Sequence, residues 1–153
     1  MPIVETKHFG PIEYQEEAVF EFPAGIPGFE DQTRFLPIEQ PANKPLVFLQ
    51  SLLRPELCFL ALPARVVDSE YRLAISAEDL RDLGLPEDCQ PLMGEEVLCL
   101  TILTVRGDRP PTANLLSPIV VNLKTRCAVQ AIQADSGYSC QHPLFPAPEE
   151  AKC

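Results

Sequence analysis

TANLLSPIVVNLKTRCAVQAIQ, running from Thr112 to Gln133, is the stretch whose reading decides the fold. Two apolar runs, Pro118–Leu123 and Cys127–Gln133, flank the polar Lys124-Thr125-Arg126. An Asn and a Pro lead into the first run. Short runs rich in Val and Ile, separated by a polar turn, read as paired β-strands. The stretch holds no His, no carboxylate and no metal-ligand spacing. A segment made for packing and for a sheet edge points to holding another protein rather than to turning over a substrate.

The same pattern extends outward. Val97–Val105 (VLCLTILTV) is the longest strand candidate, followed by a polar turn at Arg106–Pro111 and a strand at Ala113–Leu116. Upstream, Arg34–Ile38, Leu46–Leu52 and Leu57–Leu62 are apolar throughout, as expected of strands buried on both faces. Arg54-Pro55-Glu56 fits a hairpin turn between the last two. Ile3–His8, Ile12–Tyr14 and Ala18–Phe22 complete the set, with a turn at Gly10-Pro11. In AVFEF, Ala18, Phe20 and Phe22 share one face, and Val19 and Glu21 the other. FPAGIPGFE (Phe22–Glu30) is a loop. Its Ile26 and Phe29 either fold back onto the core or form a contact patch, and folding back is the favoured reading.

Ser76–Leu83 is the clearest helix. Ser76 is a good N-cap, Asp79 follows three residues on, Ala77, Leu80 and Leu83 share a face, and Gly84 can close the end. Seventeen prolines, spread along the chain, leave little room for longer helices. The expected fold is mostly β: a small antiparallel β-barrel-like single domain of about ten short strands, with one or two short helices. It covers residues 1–145, with 146–153 as a flexible tail.

At 153 residues the chain is long enough for one ordinary core. No apolar run approaches the ~20 residues of a membrane-spanning helix. MPIVETKHF lacks the basic start and apolar core of a signal peptide, so a cytoplasmic location is expected. The six cysteines, Cys58, Cys89, Cys99, Cys127, Cys140 and Cys153, show no CxxC spacing, and reduced thiols are expected. His8 and His142 lie far from any cysteine pair, so neither a zinc site nor another cofactor is expected.

The net charge of −10 sits in two blocks. Residues 1–31 and residues 76–96 each carry seven acids against one base. Phosphate binding needs a basic stripe, so direct nucleic-acid binding is disfavoured. A basic protein partner is the natural electrostatic match, while the plainer reading is two solvated faces that keep the chain soluble.

Chemistry is hard to assemble from these residues. Ser76 has no nucleophile elbow, and GIPG has neither the spacing nor the Lys of a phosphate loop. Cys140 and His142 are two apart, which on a strand puts them on one face but supplies no third, orienting group. No catalytic residue is assigned.

An ordered set of segments now becomes specific: GPIEYQEEAVFEFPAGIPGFE (Gly10–Glu30), PLVFLQSLLRPELCF (Pro45–Phe59), LTILTV (Leu100–Val105), TANLLSPIVVNLKT (Thr112–Thr125) and DSGYSCQHPL (Asp135–Leu144). Together they resemble the flagellar assembly factor FliW family over nearly the whole chain. The resemblance implies a non-enzymatic cytoplasmic regulator, monomeric when free, that binds flagellin. It also implies binding to CsrA, a basic RNA-binding repressor, by partner switching and away from the RNA surface. Carried over by matched motif, the partner-binding candidates are Gly25, Ile26, Phe29, Gln50, Ser51, Thr112, Ala113, Asn114 and Leu115. For Asn114, and for Asn122, holding turns and strand edges is an equal reading. The candidates facing CsrA are Glu78, Asp82, Glu87, Asp88, Glu95 and Glu96. LPARVV (Leu62–Val67) departs from the family, which commonly has Asp-Pro and aromatic residues there. Two other classes stay open: a thiol-dependent hydrolase using Cys140 and His142, and a ligand-binding β-barrel, which a closed apolar cavity above ~300 Å³ would favour.

Overall fold

The structure, a computed structural model, describes residues 2–133 and 135–144. Phe145, and with it the expected tail at 146–153, lies outside the described residues. The chain is mostly β and forms a single domain. A hairpin of β1 (Ile3–Thr6) and β2 (Gly10–Glu13) comes first. Then follow β3 (Phe20–Glu21), β4 (Arg34–Ile38), β5 (Val47–Ser51) and β6 (Cys58–Pro63). Two short helices follow, α1 (Ala64–Val67) and α2 (Ala77–Asp82). The rest is β7 (Val97–Arg106), β8 (Arg109–Ala113), β9 (Ile119–Asn122), β10 (Ala128–Gln130) and β11 (His142–Pro143).

The named strands pair antiparallel, in the order β10-β9-β7-β6-β5-β4-β3. The ten residues of β7 serve several ladders: Val97–Ile102 meet β9 and β6, and Leu103–Arg106 meet β8, whose Ala113 pairs in turn with His142 of β11. The sheet rolls until its ends meet at one isolated bridge, Glu21 to Cys127, where the Glu21 N–H donates to the Arg126 carbonyl over 2.9 Å. No ladder seals that seam, so "barrel-like" holds only loosely.

Register fills the inside. Val47 lies opposite Ala61, and Ala61 opposite Ile102, so one face of the alternation carries Phe35, Val47, Leu49, Ala61, Leu100 and Ile119 into the main core. Phe22 packs edge-on against Phe35 at 5.5 Å between ring centres. On the outer face the β1–β2 hairpin covers Leu36, and α1 with Tyr71 covers Cys99. Helix α2 lays Leu80 and Leu83 over Val97 and Val120.

The helix expected at 76–83 forms as read: the Ser76 hydroxyl accepts from the Asp79 N–H at 3.1 Å, and Gly84 follows in the left-handed region. The β9–β10 pair forms as well, and Arg54 turns the chain between β5 and β6. Several expectations change. Gly10-Pro11 belongs to β2, and the turn lies at Lys7-His8-Phe9. The expected turn at Arg106–Pro111 shrinks to Gly107-Asp108, because Arg109–Ala113 is strand and the chain leaves it after Ala113. Ala18, expected to open a strand, instead closes a 3₁₀ turn at Glu16–Ala18, and Val19 is as buried as Phe20. β6 is only half-buried along most of its length, on the face of Ala61 as well as on the outer one. Helix α1 is the second short helix of the expected one or two, at a place the sequence pattern does not mark.

Candidate functional site, an acidic cleft beside the sheet seam

The loop after β3 is shaped by its own backbone. Gly25 sits at φ +69, and a Cβ there would lie 2.6 Å from the Glu30 backbone, so only glycine fits. Ile26 is buried in the main core, and Phe29 packs on Phe59 at 5.4 Å. The loop therefore folds back. Its outer side, with Glu30, is left facing helix α2.

The helix is held there by the decisive hairpin. The Asn122 side-chain amide donates to the Leu83 carbonyl at 2.8 Å, while its oxygen accepts from the Lys124 N–H at 2.9 Å. The Cys127 thiol reaches the Asp82 carbonyl at 3.4 Å. With α2 pinned to the β9–β10 turn, a cleft of about 150 Å³ opens between loop and helix. Gly25, Glu30, Asp79, Asp82, Val129 and Gln130 are among its walls. Acidic residues from the two sequence blocks thus line one cleft over β10, the Glu30 carboxylate accepting from the Gly28 N–H of its own loop at 3.0 Å. Burial pushes the Asp79 carboxyl up, and its neighbours Asp82 and Glu78 push the same way against the Ser76 hydrogen bond. The sequence marks Asp79 as a cap residue and a member of the second acidic block; its position in the cleft follows from a contact between distant segments.

The other acidic candidates are dispersed. Glu87 is held by Arg81 through two contacts of 3.1 and 3.2 Å, which lowers its pKa. Glu78 and Asp88 are exposed. The Glu96 carboxylate accepts from the Leu92 N–H at 2.9 Å, and Glu95 lines a separate cleft with Arg65 and Arg72.

The motif-matched candidates are engaged inside the fold. Gln50 is fully buried, its amide nitrogen set among the carbonyls of Ser51, Arg54, Pro55 and Leu57. The Ser51 hydroxyl donates to Gln32 and accepts from Leu53 and Arg54. Thr112 and Ala113 lie in β8 between β7 and β11. The Asn114 side chain accepts from the Ser117 N–H, which is its turn-holding reading. Leu115 is buried, and its carbonyl accepts from the Tyr71 hydroxyl at 2.6 Å.

Cys140 is exposed, and His142 sits in β11 with its backbone paired to Ala113. Five cysteines, Cys58, Cys89, Cys99, Cys127 and Cys140, are free thiols. Among the described residues no three His, Cys, Asp or Glu side chains converge as metal ligands. No described helix is long and apolar enough to cross a membrane.

Comparison with known proteins places this architecture. The family model of the FliW protein matches residues 3–144. A flagellar assembly factor FliW from Syntrophomonas wolfei is 39% identical over 146 residues, covering 95% of this chain and 89% of that protein. One from Heliobacterium modesticaldum is 34% identical, covering 94% and 91%. A crystal structure of the flagellar assembly factor FliW superposes with a TM-score of 0.84 at 30% identity, over 96% of this chain and 99% of that one. A match over nearly the full length in both sequence and fold leaves one assignment: the chain belongs to the FliW family.

Proposed function

We propose that this chain is a cytoplasmic, non-catalytic regulator of flagellar assembly that binds flagellin and, by partner switching, sequesters the repressor CsrA. Free of flagellin it holds CsrA; loaded with flagellin it releases it. The process comes from what its relatives are called, flagellar assembly factors. The observation that carries the partner chemistry is the cleft lined by Glu30, Asp79 and Asp82 on a chain of net charge −10. An RNA-binding protein is cationic, and opposite fields speed encounter and fade with salt.

Area allows both partners. The chain exposes 9028 Å², and a standard interface takes ~800 Å² from each side. Mutual exclusion therefore needs overlapping sites or a conformational link. The test is gel filtration of the purified chain with flagellin, with CsrA and with both, at micromolar concentration. Each pair should co-elute, and added flagellin should displace CsrA. If neither partner co-elutes, the reading is abandoned.

A further inference from the structure

The rolled sheet is open at one end. Inward-facing positions of β3 to β7 end around a cleft of about 300 Å³, with Phe20, Val47, Leu98 and Leu100 as its apolar floor. Phe20, Val47 and Leu100 belong to the main core, so the cleft reaches the interior. Pro37 and Pro63 stand at the rim, where fixed φ angles and missing N–H groups make a stiff edge without donors.

Two charged side chains complete the wall, half-buried Arg126 and exposed Glu39. Arg126 is placed at a conformational cost. Its φ is +67, a region where Gly or Asn sits far more easily. Its N–H donates to the Asn122 carbonyl at 2.7 Å, and its carbonyl accepts from Glu21. Of the nearby glutamates, Glu16 and Glu21 are bound by Arg34, while Glu39 shares the cleft wall without pairing to Arg126. Among the described residues no carboxylate lies within 4.0 Å of the Arg126 guanidinium. A cation with free donors thus stands over an apolar floor in a rigid mouth.

We propose that this barrel mouth binds a small amphipathic carboxylate, its apolar chain on the Phe20–Leu98–Leu100 floor and its carboxylate on Arg126. The volume lies at the small end of ligand pockets. The guanidinium fork matches a carboxylate in two hydrogen bonds, which selects an acid over an alcohol or an amine of the same length. The site is separate from the acidic cleft and does not rest on the flagellar reading.

The test is an amide NMR titration of the full chain with octanoate, with octylammonium and octanol as controls. Octanoate should saturate one site and shift Phe20, Val47, Leu98 and Arg126. Arg126→Asn, which suits the left-handed backbone and should keep the fold, should weaken octanoate by about tenfold or more. Glu39→Gln should leave the affinity equal or tighter. The proposal is overturned if octylammonium binds as well as octanoate, if Arg126→Asn binds unchanged, or if the shifts fall only on a second apolar groove, lined by Phe9, Phe48 and Leu60.

Discussion

The Asn122 side chain donates to the carbonyl of Leu83 across 2.8 Å, and this bond couples the β9–β10 turn to the end of α2. The residue is 4% exposed, so water is a poor substitute for either of its bonds. Asn122→Ala should lower unfolding free energy by about 1–3 kcal/mol, the usual consequence of orphaning buried polar groups. Urea denaturation followed by circular dichroism measures this. An unchanged midpoint would mean that α2 is held by Leu80 and Leu83 alone.

Two glycines in one loop separate steric demand from backbone demand. Gly25 and Gly28 both have positive φ, but a Cβ at Gly25 collides with Glu30 and one at Gly28 meets nothing within 4 Å. Gly28→Ala should cost about 1 kcal/mol from the backbone alone. Gly25→Ala should cost distinctly more, because the loop must move and Ile26 and Phe29 with it. Equal melting temperatures for the two variants would contradict this account of the loop.

What was legible in the sequence was whatever local pattern decides. Ser76, Leu80 and Leu83 announced α2, and the Val-Ile runs announced β7, β9 and β10. Proline misled twice. Pro11 sits in β2, in a two-stranded hairpin, and Pro110 and Pro111 sit in β8, whose edges are only partly paired. An edge tolerates a residue without an N–H, but edge position is a property of the assembled sheet. Helix α1 is four residues long and contains two valines, too little for a period to show. The acidic blocks could be counted in advance, but the placing of Glu30, Asp79 and Asp82 around one cleft depends on how the sheet rolls.

Stability should fall in alkali. Burial pushes the Cys99 thiol up from 9.0 to about 12 and the Cys58 thiol to about 11, and it raises the Tyr71 phenol. Above pH 9 the unfolded chain loses these protons while the folded chain keeps them, so the folded state is disfavoured as pH rises. Cys99 alone contributes a slope of up to about 1.4 kcal/mol per pH unit between pH 9 and 12. Melting curves from pH 8 to 10.5 should show the decline, and Cys99→Ala should make it shallower without abolishing it. A pH-independent profile would contradict the burial.

Thiol labelling ranks the same residues kinetically. Exposed Cys89 and Cys140 should alkylate at similar, ordinary rates near neutral pH, while Cys99 should react only on unfolding. Mass mapping after iodoacetamide treatment resolves them. A Cys140 rate far above that of Cys89 would revive the hydrolase reading with His142.

The central claim is that the carboxylates gathered between the β3–β4 loop and α2 dock a cationic protein. Glu30→Lys combined with Asp82→Lys reverses two walls of the cleft and leaves the Ser76 cap intact. The direct measurement is the CsrA dissociation constant of the wild-type chain and this double variant at low and high salt. The account predicts weakening of about tenfold or more in the variant, a smaller gap at high salt and an unchanged circular dichroism spectrum. Equal affinity in the two proteins at low salt would contradict it.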